Sequence, residues 1–290
     1  MTNKLQVNIV VVFAVHERRF FFNTTFIKRK VKIMTKVNEF EYYEQVKDWS
    51  FDEFQITSEK LTNWDLYEIL EKVTNEKSKI LDLGTGGGEK VLSRFPKRVK
   101  EILGTDYSSA MIETAKKNLS LSDRTNVAFR IMNNLAMDVP DEYYDVVVAR
   151  NTVTDPKQIY KALKPGGVLL IHGVDMFDCY GLKLVFGRGQ AMNDSKPISI
   201  IDYEAVLAAG FKDVELVPIH EREYFKTKEL LAAFLRKVPI LDEFSEEEGD
   251  FKDFYSPEIE DDKLDEYVSQ NTYPEGIRLI RRYYGITARK

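Results

Sequence analysis

The run Ile80-Leu81-Asp82-Leu83-Gly84-Thr85-Gly86-Gly87-Gly88 constrains the fold more than any other segment of the chain. An apolar stretch long enough for a short buried strand runs into a turn of four glycines in five positions. Val91, Leu92 and Phe95 then follow at helical spacing. A strand that breaks into a glycine turn and resumes as a helix is the opening of a parallel, doubly covered sheet. Glycine also lets the backbone approach a ligand closely, because no Cβ intervenes. The spacing narrows the choice of ligand. A dinucleotide fingerprint, Gly-x-Gly-x-x-Gly, needs its third glycine at a position that is Glu89 here, which argues against a nicotinamide enzyme. Glycines 84, 86 and 88 form Gly-x-Gly-x-Gly instead, with Asp82 inside the preceding strand.

The alternation continues downstream. Glu101–Thr105 reads as a second strand ending at Asp106, and Ser108-Ser109 can cap a helix whose inward face is Met111, Ile112, Ala115 and Leu119. Val127–Met132, Tyr144–Ala149 and Val168–His172 read as further strands. A short helix over 155–163 is ended by Lys164-Pro165-Gly166-Gly167, a helix stop and tight turn. Ile201–Ala209 is a helix stopped by Gly210, and Val214–Ile219 and Glu223–Phe225 look like the last strands. Upstream, apolar positions between Leu61 and Val73 predict an amphipathic helix over 58–73 with Ser58 as N-cap. Leu230–Val238 predicts a helix in an otherwise acidic tail.

Four segments in register resemble the class I S-adenosylmethionine (SAM)-dependent methyltransferases. They are the glycine run, Gly104-Thr105-Asp106-Tyr107-Ser108-Ser109-Ala110-Met111, Tyr144-Asp145-Val146-Val147-Val148, and Leu163-Lys164-Pro165-Gly166-Gly167-Val168-Leu169. The flavour is that of the small-molecule enzymes, among them the ubiquinone and menaquinone biosynthesis methyltransferases. The resemblance covers about 78–216. It implies a doubly wound, mostly parallel, seven-stranded Rossmann-like α/β sheet with an N-terminal helical lid and a C-terminal extension. It also implies SAM as cofactor. Asp106 should accept hydrogen bonds from both ribose hydroxyls. Gly84, Thr85, Gly86 and Gly88 should line the methionine and ribose, with Asp82 ordering the loop or reaching the amino group through water. Tyr107 and Met111 should flank the adenine, while Asn133 and Asn134 should read its edge, Asn133 standing where the family often has an acid. Arg150 should border both cofactor and acceptor. If the acceptor carries an acidic proton, His172, His220 and Asp175 are the candidate bases.

The rest of the sequence sets limits on the acceptor. No Asn/Asp-Pro-Pro-Tyr/Phe follows the fourth strand, which reads Ala149-Arg150-Asn151-Thr152-Val153, and the single cysteine, Cys179, rules against a cysteine-adduct route to methylated pyrimidines. Residues 1–33 hold seven Lys and Arg against Glu17 alone, a net +6, which leaves −11 from Met34 onward in a chain of net −5. So acidic a body disfavours nucleic acid. The expected organisation is a disordered leader or misassigned start at 1–33, a lid and helix at 34–77, a SAM-binding core at 78–219, and a strand and cap extension at 220–290. For the leader, a signal peptide, a basic membrane-surface segment and read-through upstream of a true start at Met34 all remain open. Tyr42 and Tyr43 are either lid or packing. No apolar run approaches the roughly 20 residues of a membrane span. No zinc cluster is expected from three scattered histidines and one cysteine, and the one cysteine fits a reducing cytoplasm. The expected activity is methyl transfer from SAM to a small-molecule acceptor. The rivals are an RNA or protein methyltransferase and a non-catalytic SAM-binding module.

Overall fold

Alternating burial along the chain is what assembles the sheet. In a computed structural model, residues 37–38, 51–241, 244–245 and 259–290 are described; the expectations for 1–33 and for Tyr42 and Tyr43 lie outside them. In chain order, β1 (Thr57–Lys60) is followed by α1 (Leu66–Val73), β2 (Lys79–Leu83), α2 (Glu89–Arg94), β3 (Glu101–Asp106), α3 (Ser109–Ser120) and β4 (Val127–Ile131). Then come β5 (Tyr144–Arg150), α4 (Pro156–Ala162), β6 (Leu163–Val174), α5 (Tyr180–Phe186), α6 (Ile198–Ala208) and β7 (Lys212–Phe225). The last elements are α7 (Lys228–Lys237), α8 (Asp261–Asn271), β8 (Thr272–Tyr273) and β9 (Gly276–Arg289).

The strands lie in the order β1-β7-β9-β6-β5-β2-β3-β4, with β8 paired to β9. The half β6-β5-β2-β3-β4 is parallel. The half containing β9, β7 and β1 is antiparallel. The Rossmann-like α/β class therefore holds, but the sheet has nine strands rather than seven and is parallel only in its first half. The two short strands expected at 214–219 and 223–225 are one strand, β7, because β9 pairs with it without a break from Ile277↔Phe225 to Thr287↔Glu215. The expected boundary at 219/220 falls inside that strand.

The helix expected over 58–73 is also corrected. Thr57–Lys60 is an edge strand on β7 with all four residues exposed. The helix begins only at Leu66, where Asp65 Oδ1 accepts from the Tyr67 and Glu68 amides at 2.9 and 3.2 Å. Such a cap is worth about 1 kcal/mol, and none is available at Ser58 once that residue pairs with Glu223. Lys164-Pro165-Gly166-Gly167 lies at the start of β6, where pairing jumps from Tyr144↔Leu163 to Val146↔Val168 and Gly166 takes φ +76°. The turn is thus a bulge that lets α4 run straight into its strand.

Period-two alternation divides the core between the two faces. Ile80, Val146, Val148 and Leu170 pack with Leu66, Leu70, Val91 and Ile112 under α1–α3. Leu81, Leu83, Val147, Ala149, Ile171 and Ile286 pack with Ile159 and Val206 under α4 and α6. The β7–β9 ribbon extends past the end of β6, since Tyr283↔Val174 is the last pair between β9 and β6. On that extension Phe225, Ile277 and Leu279 pack with α5, α7 and α8 as a separate cap cluster. Inside it, Arg281 forks onto Asp178 (Nε at 3.0 Å, Nη2 at 3.1 Å) and reaches Glu223 at 3.1 Å.

Candidate functional site

The glycine turn stands at the carboxyl end of β2, between β3 and β5, where the strand order reverses; in open α/β sheets this switch point is where ligands bind. Gly84, Gly86 and Gly88 take φ of +72°, +56° and +77°, a region in which a Cβ costs about 1–2 kcal/mol. At two of them space is closed as well. A Cβ on Gly84 would meet the Thr152 side chain at 2.6 Å, and one on Gly88 would meet the Phe129 ring at 2.6 Å. The turn is fastened from outside: Thr85 N–H donates to Thr105 O at 2.8 Å, and Asn118 Nδ2 to Gly87 O at 2.9 Å. Asp106, at the end of β3, takes the Gly86 amide on Oδ2 at 2.9 Å and the Ser108 amide on Oδ1 at 3.0 Å. The acid and the turn are thereby held as one unit, with the carboxylate half-exposed at its mouth.

Around this unit stand the other predicted residues. Ser108 Oγ caps α3 by accepting from the Met111 amide at 3.2 Å; Met111 is buried, and Tyr107 is 53% exposed. Asn133 closes its own turn, its Oδ1 accepting from the Leu135 amide at 2.8 Å. Asn134 is buried, and its Nδ2 donates to Thr152 Oγ1 at 3.0 Å. Among the described residues, the buried Asn134 Oδ1 has no hydrogen-bond partner. Asp82 is buried in β2, and burial pushes its pKa up to about 7 against the pull of Arg150. Arg150 ends β5 and also acts, with Arg94, on Lys90, whose pKa is lowered by burial first and by these like charges second. Lys90, Arg94 and Arg150 thus make one positive corner beside the turn.

The three candidate bases are not brought together. His172 pairs in register with Arg150 and Gly285. Its Nδ1 lies 3.2 Å from Asn151 Oδ1, and its ring centroid is 5.0 Å from Tyr283 and 6.3 Å from Trp64. Burial, then the Arg150 charge, lowers its pKa to about 4, so it is neutral at pH 7. His220 pairs with Arg282, three residues before Gly285, and alternation puts it on the opposite face of the sheet. His220 and Asp175 line a cavity of about 550 Å³ there. Tyr283, the residue after Arg282, turns its ring to the other face, where it neighbours His172.

Sequence reading missed Thr152, Tyr283 and Arg282. Thr152 had a signal, since it directly follows the carboxyl end of a central parallel strand. The other two lie in β9, over a hundred residues from the motifs, and nothing local marks them.

Residues 74–198 match the family described as "Methyltransferase domain". The ribosomal protein L11 methyltransferase of Listeria innocua is 33% identical over 100 residues, which is 33% of this chain and 32% of that protein. The chain thus matches about a third of the length of that curated relative. Among solved structures, the YcgJ protein of Bacillus subtilis aligns over 78% of this chain and 97% of its own at 14% identity, TM-score 0.48. A Haemonchus contortus phosphoethanolamine N-methyltransferase 2 in complex with SAM aligns over 78% and 52% at 20% identity, TM-score 0.45. Both scores lie under 0.5, so the weight falls on the match at 74–198 and on the turn that it contains. Residues 74–198 are a methyltransferase domain by the family whose model they match.

Proposed function

We propose that the whole chain transfers a methyl group from SAM to a small-molecule acceptor, working in the cytoplasm. The observation that carries the donor half is the single unit made by the glycine turn and Asp106. The residues present fit the cofactor: a turn without side chains, an acid at its mouth, a buried Asn134 oxygen with no donor, and a positive corner suited to a carboxylate. When bound, SAM supplies a methyl group already activated on a sulfonium.

In this reading Asp106 accepts from the ribose hydroxyls, Tyr107 and Met111 flank the adenine, and Asn134 accepts from the adenine amino group. Asn133, whose oxygen already serves its own turn, has the smaller part. Gly84, Thr85, Gly86 and Gly88 let the backbone pass under the methionine and ribose. Lys90, Arg94 and Arg150 take the methionine carboxylate, and Asp82 answers the ammonium. His172, neutral and oriented by Asn151, can take a proton from an acceptor that must lose one. His220 and Asp175 serve the acceptor side. Holding acceptor and methyl in line can lower the barrier by on the order of 7–11 kcal/mol.

The aromatic cavity at the carboxyl edge supports the small-molecule half of the proposal, since its volume suits a compact ligand. A second reading, a protein acceptor, is favoured by the name of the curated relative, which is a ribosomal protein methyltransferase. Incubating the full chain with methyl-labelled SAM, a metabolite extract and a ribosomal protein fraction separates the two. Label in the small-molecule fraction supports the proposal; label confined to protein replaces it with the second reading. Tight SAM binding with no transfer to any fraction would instead mark a non-catalytic binding module. For the donor half, Asp106→Ala should weaken S-adenosylhomocysteine binding by about 10²-fold, two charge-assisted bonds being lost. Unchanged affinity by calorimetry would overturn the assignment.

A further inference from the structure

The 550 Å³ cavity between β7, β9 and the start of α6 has a chemistry of its own. Its walls are mainly aromatic and aliphatic, Ile200, Leu216 and Pro218 among them. Phe177 and Tyr180, paired edge-on with centroids 5.5 Å apart, are 46% and 36% exposed. Large rings left that open contribute little to a core, and here they border a space of ligand size. The charged groups of the lining are unequally satisfied. Asp175 is engaged, its Oδ2 accepting from the Ser199 hydroxyl at 2.6 Å and its Oδ1 from the Phe177 amide at 3.1 Å. Ser199 and Asp175 therefore hold the start of α6 to the end of β6. The Arg282 guanidinium, by contrast, is bonded by no acceptor among the described residues. His220, opposite it in register, has its pKa lowered by burial first and then by the Arg282 charge, so the histidine adds no competing cation at neutral pH.

An apolar aromatic box with one unanswered guanidinium suits a flat ligand carrying one carboxylate, because the planar fork of arginine matches a carboxylate with two parallel bonds. We infer that this cavity binds an aromatic carboxylate, its ring against Phe177 and Tyr180 and its anionic group on Arg282.

Calorimetry on the full chain, with and without saturating S-adenosylhomocysteine, tests this using 2-naphthoate and its uncharged match 2-naphthamide. The expected result is a preference for naphthoate of about tenfold or more, the size of one charge-assisted contact. Arg282→Gln should erase that preference while naphthamide still binds, and Ile200→Trp should fill the space and abolish both. Neither variant should change S-adenosylhomocysteine affinity, which also reports that each is folded. Equal affinity of the wild type for the two probes, or binding of neither, overturns the inference, whether or not the variants fold. So does a preference that survives in a folded Arg282→Gln. An Arg282-dependent preference in a chain that fails to bind S-adenosylhomocysteine would keep the site and remove the methyltransferase reading.

Discussion

Gly84→Ala puts one methyl group into a closed joint of the glycine turn, and its cost can be worked from the geometry. The residue sits at φ +72°, where an L side chain costs about 1–2 kcal/mol. Its Cβ would lie 2.6 Å from Thr152 Cβ and 2.9 Å from both Thr152 Cγ2 and Oγ1. The neighbour is a short β-branched side chain with no flexible end to swing away, so Thr152 must move bodily. Overpacking of that kind costs about 1–3 kcal/mol. Thr152 Oγ1 also accepts from buried Asn134 Nδ2 at 3.0 Å, a bond worth about 1 kcal/mol that the movement breaks. The total is about 3–6 kcal/mol. Urea unfolding of Gly84→Ala, Thr152→Gly and the double variant measures it, provided the m-value is constant. The steric and hydrogen-bond parts should vanish from the double-mutant cycle as a favourable coupling of about 2–4 kcal/mol, while the backbone part stays. A loss below about 1 kcal/mol in Gly84→Ala, or no coupling with Thr152→Gly, would refute the reasoning.

Three further outcomes are expected. Asp82, with a folded pKa of about 7 against an ordinary 3.8, keeps a proton that the unfolded chain releases; stability from this group is therefore full below about pH 4, falls as pH rises to about 7, and is flat above. The stability of the wild type relative to Asp82→Asn should drop over that window by on the order of 4 kcal/mol, and a difference that does not vary with pH would contradict the assignment. His172, lowered to about 4, should show no titration of its ring carbon resonance between pH 5.5 and 8 in NMR; a midpoint above 6 would mean that the ring is solvated. Arg281→Ala strands the buried carboxylates of Asp178 and Glu223 and should cost about 3–5 kcal/mol in chemical denaturation, with Arg281→Lys recovering only part because an ammonium lacks the fork. A loss under about 1 kcal/mol would show that water reaches the pair.

What could be read in advance followed the range of the interactions. The glycine turn, Asp106 and the Ser108 cap each depend on residues close in the chain or on a repeating βα unit, and they stand in the structure as the motifs implied. The candidate bases show the opposite case. His172, Asp175 and His220 look interchangeable as letters, yet alternation along β6 and β7 puts His172 on one face and His220 on the other. The edge strand at 57–60 was misread because its four polar, exposed residues carry no periodic signal of their own. Only pairing with β7 makes them a strand.

The sequence by itself determined the glycine-turn side: a βα unit whose glycines require positive φ, an acid one strand away, and a parallel half-sheet that follows from repeated apolar strands. Those features are set by backbone sterics and by periods of two and 3.6 residues, which are local. Only the tertiary structure decided that β9, from the far end of the chain, enters the sheet between β6 and β7. That insertion brings Arg282 to a cavity with Asp175, Ser199 and His220, and it buries Arg281 against Asp178. Contacts between residues about a hundred positions apart leave no pattern in either stretch alone, because each strand's sequence only has to suit the face it meets. The turn that opened the reading is local chemistry; the cavity beside it is a product of topology.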